Sequence, residues 1–203
     1  MTMSRTQVFA RLGLWRLTRH PAVGRLYDRL ERAGAFAAQL DAFERETDTG
    51  IAVDPPADIQ LSTARADEGL PDHLMGEPVA PGDTVVRATR QDETVGCCCL
   101  SDRPVYVPEL RQRVSFAGTY LWRLFVESSA RGCGIGTAII GGALTAGREA
   151  FGRDRLTALI APDNLPSRRA FARLGFRPVD RFTTVGIRGW RLDRRRPLAT
   201  APG

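Results

Sequence analysis

The chain reads as an α/β protein, with short strands and two helices built around one core. Two stretches carry that reading. Tyr120 to Val126 is a strongly β-prone run, followed by a glycine-rich turn and a small-residue helix from Gly136 to Ala150. Leu156 to Ala161 then reads as a buried strand, and Leu165 to Leu174 as a short helix closed by Gly175, the residue best suited to a left-handed helix end.

The other elements follow in chain order. In residues 4–46, Val8, Phe9, Leu12, Trp15 and Leu17 recur at helical spacing, as do Leu26, Leu30, Phe36, Leu40 and Phe43, with Pro21 between the two runs. Residues 47–58 look like a linker broken at Pro55-Pro56. The organisation predicted is a helical extension with linker over 1–55 and a domain over 56–203. The first 25 residues carry Arg5, Arg11, Arg16, Arg19 and Arg25 and no acid. The extension is expected to pack on the domain or across a homodimer interface. Contact of residues 1–25 with a membrane surface is the less favoured alternative. No apolar segment with a small-residue cleavage site marks secretion. Ile59 to Ala64 is a strand, and residues 65–83 are polar with at most a short helix. Thr84 to Thr89 and Val95 to Leu100 form a hairpin around Gln91-Asp92-Glu93. Residues 101–118 are a long connection with a strand at Val105 to Val107. Arg181 to Ile187 and Gly189 to Leu192 make a final hairpin, and the tail from Arg194 onward frays.

Composition narrows the function. The 203 residues carry a net charge of +6, and all 29 basic residues are Arg. The guanidinium fork suits phosphate and carboxylate. No run approaches the roughly 18 apolar residues of a membrane span. The arginines at Arg188, Arg191 and Arg194 to Arg196 come with no stacking pattern or reader motif, so no nucleic-acid partner is expected. Cys97, Cys98 and Cys99 lack the spacing of a zinc site or a disulfide framework. They read as small buried residues in a reduced, cytoplasmic setting, with Cys97 and Cys99 on one strand face and Cys98 on the other. His20 and His73 are the only histidines, and no metal is expected.

The segment richest in chemistry is Arg131-Gly132-Cys133-Gly134-Ile135-Gly136-Thr137. Alternate glycines let the backbone approach a ligand, and the amides of a following helix start make an anion site suited to a pyrophosphate. A dinucleotide fingerprint from Gly134 fails at Ile139, and a Walker A loop fails because the chain has no Lys.

At these residues the chain resembles the GNAT superfamily of acyl-CoA-dependent N-acyltransferases. Arg131-x-x-Gly134-x-Gly136 matches that family's phosphate loop in its strand-to-helix setting. Asn164 to Phe176, ending Leu174-Gly175-Phe176, matches its second segment, and Asn164 is the only Asn in the chain. The resemblance is strong over 120–176, extends from Ile59 to Leu192, and has no counterpart in 1–55. It implies a mixed, mostly antiparallel sheet flanked by helices, with the cofactor where two adjacent parallel strands separate. It implies acetyl-CoA as co-substrate. The backbone of Leu124, Phe125 and Val126 would face the pantetheine arm, the amides of Gly132 through Thr137 would hold the pyrophosphate, Asn164 and Ser167 would contact the cofactor, and Phe171 would lie near its sulfur.

Two positions depart from the pattern. The Tyr that many members place seven residues after the Asn is Phe171, and the Glu that some place five residues before it is Leu159. Neither can move a proton. A neutral amine must still lose one to attack a thioester. Glu127 and Glu109 remain as candidate bases, and Tyr120 as an acid or a holder of water. The function expected is transfer of an acetyl group from acetyl-CoA to a primary amine on a small molecule or peptide. The alternative is a catalytically weak CoA-binding sensor or interaction module.

Overall fold

The computed structural model describes residues 34–47, 53–66 and 79–198. Among the described residues, ten strands and two α-helices make up the architecture. They are β1 (Phe36–Glu46), β2 (Gln60–Arg65), β3 (Thr84–Arg90), β4 (Glu93–Ser101), β5 (Val105–Val107), β6 (Gln112–Val114), β7 (Thr119–Val126), α1 (Ile135–Phe151), β8 (Arg155–Ile160), α2 (Leu165–Arg173), β9 (Arg177–Ile187) and β10 (Trp190–Pro197). Eight strands form one sheet in the order β10-β9-β1-β8-β7-β4-β3-β2, and β5 pairs with β6 apart from it. Every neighbouring pair is antiparallel except β7 and β8, which run parallel. The mixed, mostly antiparallel sheet with flanking helices is therefore as expected.

Most elements form where local sequence places them. The β3–β4 hairpin turns through Gln91 and Asp92, both at positive φ. Those dihedrals suit a tight turn between twisted strands. The thiols alternate as expected. Cys98 lies in the core beneath the helices, and Cys97 and Cys99 pack on the opposite face. Burial pushes all three upward, Cys99 to about 12, so they stay protonated thiols. Arg194 to Arg196 extend β10, where a frayed tail was expected.

The helical reading of 36–46 is overturned. These residues form β1, inserted between β8 and β9 and antiparallel to both. The spacing of Phe36, Leu40 and Phe43 suggests a helix because both faces of the strand are covered, so no polar alternation shows. Leu40 packs against the β5–β6 side, and Phe43 against the helix side. The helical reading of 4–33 lies outside the described residues.

β1 is fastened electrostatically as well. Asp41 is fully buried. Its carboxylate accepts from Arg181 Nε at 2.7 Å and Nη2 at 3.1 Å, and from Arg168 Nη1 of α2 at 2.7 Å. Burial pushes the Asp41 carboxyl up, but the hydrogen bonds and charges of Arg181 and Arg168 outweigh it and hold the group below its usual range. Asp41→Asn is expected to cost about 3 kcal/mol at pH 7, the low end for breaking a buried pair, because both arginines keep some solvent. A depressed folded value stabilises above the unfolded value of about 3.9 and is lost as pH falls through the folded one. Urea unfolding should thus separate the two proteins at pH 7, and the gap should shrink towards pH 2.

Both helices lie on one face of the sheet, over a core that includes Val86, Leu100, Leu121, Ile139, Leu156, Ile160 and Phe171. The other face is covered by the β5–β6 unit through Val107, Leu110 and Val114, which meet Leu40 and Tyr120.

Candidate active site

The parallel pair β7 and β8 sets the geometry. They pair only through Thr119–Leu156, Tyr120–Thr157 and Leu121–Ala158. At the start of β7 they are so close that a Cβ on Gly118 would stand 2.1 Å from the Arg155 carbonyl oxygen. Beyond Leu121 no backbone pair joins them. On its other edge β7 carries a bulge against β4, where the register shifts opposite Cys98 and Arg123 takes positive φ. A bulge bends and twists its strand, which helps to turn β7 away from β8. A cleft of about 300 Å³ occupies the opening, between Tyr120–Leu124 on one wall and Ala158–Ala161 on the other.

At the end of β7 stands the glycine loop. Arg131 Nε donates to the Val126 carbonyl at 3.0 Å, tying the loop to the strand. Gly132 and Gly134 have φ of 84° and 83°, and a Cβ on either would meet nothing within 4 Å. The glycines are thus required by conformation and leave open space above the backbone. Cys133 is exposed on the loop, whereas Ile135 is buried and anchors the helix start. No side chain caps α1, and its first turn, with Gly136 and Thr137, holds no acid. Free amides and the positive helix end together suit a phosphate anion.

The second segment frames the cleft from the β8 side. Asn164 Oδ1 accepts from the Ser167 amide at 3.3 Å and caps α2. Asn164, Ser167 and Phe171 all line the cleft. The Phe171 ring is buried, edge-on to Phe176 with centroids 4.9 Å apart. Leu124 lines the cleft, while Phe125 packs towards Cys97 and Cys99, and Val126 towards the helix core.

The proton-transfer candidates separate. Glu109 and Tyr120 meet in the cleft, and also in an adjoining pocket of about 270 Å³ lined by Val105 to Glu109, Trp122 and Arg123. Burial, then the Glu109 charge, pushes the Tyr120 phenol above its ordinary value, so it remains protonated at neutral pH. Glu127 is not with them. It sits past the end of β7, where its amide donates to the Val95 carbonyl at 2.8 Å. Leu159 lines the cleft and offers no base.

Sequence reasoning missed the groups that hold this wall. Trp122 Nε1 donates to Ser101 Oγ at 2.9 Å, and Ser101 Oγ donates to buried Asp83 at 2.6 Å. Arg103 pairs with the same carboxylate. The turn that carries Glu109 is gripped by Arg191 of β10, which donates to the Leu110 and Arg111 carbonyls, each at 2.9 Å. The partners stand 18 to 81 residues apart, so no local pattern marks them. Among the described residues, no cluster of three or more His, Cys, Asp or Glu is placed to hold a metal ion.

The family model for the acetyltransferase (GNAT) family matches residues 50–176, more than half of the chain. The chain belongs to the GNAT family. Its members are acyltransferases. Solved structures share the fold at low identity. A GCN5-related N-acetyltransferase from Kribbella flavida superposes with a TM-score of 0.54 at 15% identity, covering 82% of this chain and 65% of that one. A tandem GNAT protein from the clavulanic acid biosynthesis pathway gives 0.54 at 16%, covering 83% and 58%. A GCN5-related N-acetyltransferase from Sphaerobacter thermophilus gives 0.50 at 14%, covering 86% and 56%. This GNAT chain thus spans less than two thirds of the length of each. No curated protein matches its sequence.

Proposed function

We propose that the protein transfers an acetyl group from acetyl-CoA to a primary amine by direct attack of the amine on the thioester. The observation that carries this is a cleft at the unpaired edge of β7 that holds the Glu109 carboxylate, with the open phosphate loop following the end of the same strand. The residues fit the co-substrate. The amides of Gly132 to Thr137 would take the pyrophosphate, the backbone of β7 beyond Leu121 would pair with the pantetheine arm, and Asn164 and Ser167 would flank it. When bound, acetyl-CoA supplies an activated acyl group. A β7 amide donates to the carbonyl oxygen as negative charge grows there. Glu109, the one carboxylate among the described residues lining the cleft, takes the amine proton directly or through water. Tyr120 gives a proton to the leaving sulfur and regains one from Glu109, which restores both groups. The apolar side chains of Trp122 and Leu159 in the cleft wall would favour the neutral amine that can attack. A cytoplasmic setting belongs to the same reading, since the described cysteines are free.

Thiol release from acetyl-CoA across a panel of amino acids, polyamines, aminoglycosides and peptide N-termini tests the reaction. Turnover with at least one class is expected. Tight binding without turnover on any would favour a CoA-binding module instead. Gly136→Val tests the cofactor placement. Gly136 has ordinary helical φ, and its Cβ would meet only Val126 Cγ2 at 3.6 Å, so the fold should tolerate the change while the branched side chain crowds the phosphates. Calorimetry should show at least a tenfold loss of acetyl-CoA affinity, about 1.4 kcal/mol, with the melting temperature nearly kept. Unchanged affinity would overturn the placement.

A further inference from the structure

The β9–β10 hairpin has two unlike faces. One is fully used. Phe182 packs against Phe116, and Arg191 grips the turn that carries Glu109. The other face has apolar side chains at its tip and arginines behind them. Cross-strand pairs put Ile187 beside Trp190 and Val185 beside Leu192. All four are exposed, Trp190 at 58% and Leu192 at 52%. The next pairs on the same face are Thr183 with Arg194 and Arg181 with Arg196, which with Gln39 line a shallow pocket. Arg181 is already bound to Asp41, but Arg194, Arg196 and Arg188 at the hairpin turn have no carboxylate partner among the described residues.

We propose that this hairpin face docks the protein on an anionic phospholipid surface. The spacing suits that partner. At about 3.4 Å per residue, Trp190 and Leu192 span about 7 Å and Arg194 stands about 14 Å from Trp190. Apolar side chains of interfacial elements sink about 5–10 Å below the headgroups. With Trp190 at that depth, Leu192 lies near the boundary, and Arg194 and Arg196 stand on its water side, from where their long side chains reach back towards the lipid phosphates. Trp at the apolar end suits the membrane–water boundary. Nucleic acid fits less well, because Val185, Ile187 and Leu192 have no ring to stack on bases. A second copy joined along the β10 edge would bring the Arg194–Arg196 runs towards each other. The chain also enters β1 at this place, since Gly34 adjoins Arg188. The acid-free, arginine-bearing first 25 residues precede that point in sequence.

Co-sedimentation of the full chain with vesicles tests the proposal. Phosphatidylcholine vesicles with and without about a third phosphatidylserine would be compared at low and high salt, because polybasic docking is charge-driven and screened. Binding is expected on the anionic vesicles only and should weaken at high salt. The pairs Trp190→Ser with Leu192→Ser, and Arg194→Ser with Arg196→Ser, should each lower partitioning at least tenfold. The sites are exposed, and an unchanged melting temperature checks the fold. Absence of binding at low salt would overturn the proposal. So would binding that neither pair weakens, which would place the contact in residues 1–33. Tighter binding to a single-stranded oligonucleotide than to vesicles, or loss of a dimer in both pairs, would reassign the face to nucleic acid or to a second copy.

Discussion

Removing residues 1–55 is expected to abolish folding, whereas removing residues 1–33 leaves every described strand in place. β1 contributes backbone pairs to β8 from Asp41 to Glu46 and to β9 from Phe36 to Glu44. Its loss would leave β8 and β9 a full strand-width apart. It would also uncover both cores, since Leu40 belongs to one and Phe43 to the other. Losing one large buried side chain costs about 2–5 kcal/mol, and a whole domain holds about 5–15 kcal/mol. The deletion also strands Arg168 and Arg181, which would lose Asp41. The expected readout for 56–203 is the absence of a cooperative thermal transition, with a chain starting at Gly34 unfolding cooperatively. A sharp transition for 56–203 alone would instead establish an independent domain beginning after residue 55.

This strand also marks the limit of what local sequence reveals. The β3–β4 hairpin, β7, α1, β8 and α2 could be read because each has a one-sided pattern or a punctuating residue next to it. Glycines open α1, and the Asn164 cap opens α2. β1 has neither, being covered on both faces and made of residues that favour helices, such as Ala, Gln, Leu and Glu. Its strand form is imposed by the two neighbours it bonds to, and those lie more than a hundred residues away in sequence. The site divides in the same way. The phosphate loop is local in sequence and therefore legible. The acceptor side is assembled from β5–β6, Tyr120 and Trp122, held by Asp83 and Arg191, and nothing in any one of those segments announces the others.

Glu109→Gln is expected to lower kcat by about 10²–10⁴-fold, the range for losing a general base, with acetyl-CoA affinity nearly kept because no glycine-loop residue lines the pockets that hold Glu109. A rise in amine KM at constant kcat would instead make Glu109 a binding group for the acceptor's charge. Tyr120→Phe should be milder, because a thiolate leaves readily once the thiol has an ordinary pKa of about 8.5. The pH profile distinguishes the two roles. Burial and then the Glu109 charge raise the Tyr120 phenol, so its proton is kept well above pH 10, the ordinary phenol value. Tyr120 should therefore impose no loss of rate between pH 7 and 10. An alkaline decline centred near pH 8 that vanishes in Tyr120→Phe would contradict its place as a buried acid. Glu109→Gln removes the negative charge but not the burial, and burial is the larger cause. The phenol should then titrate lower than in the parent protein yet still above its ordinary value, which ultraviolet titration of the tyrosinate can read without any acceptor present.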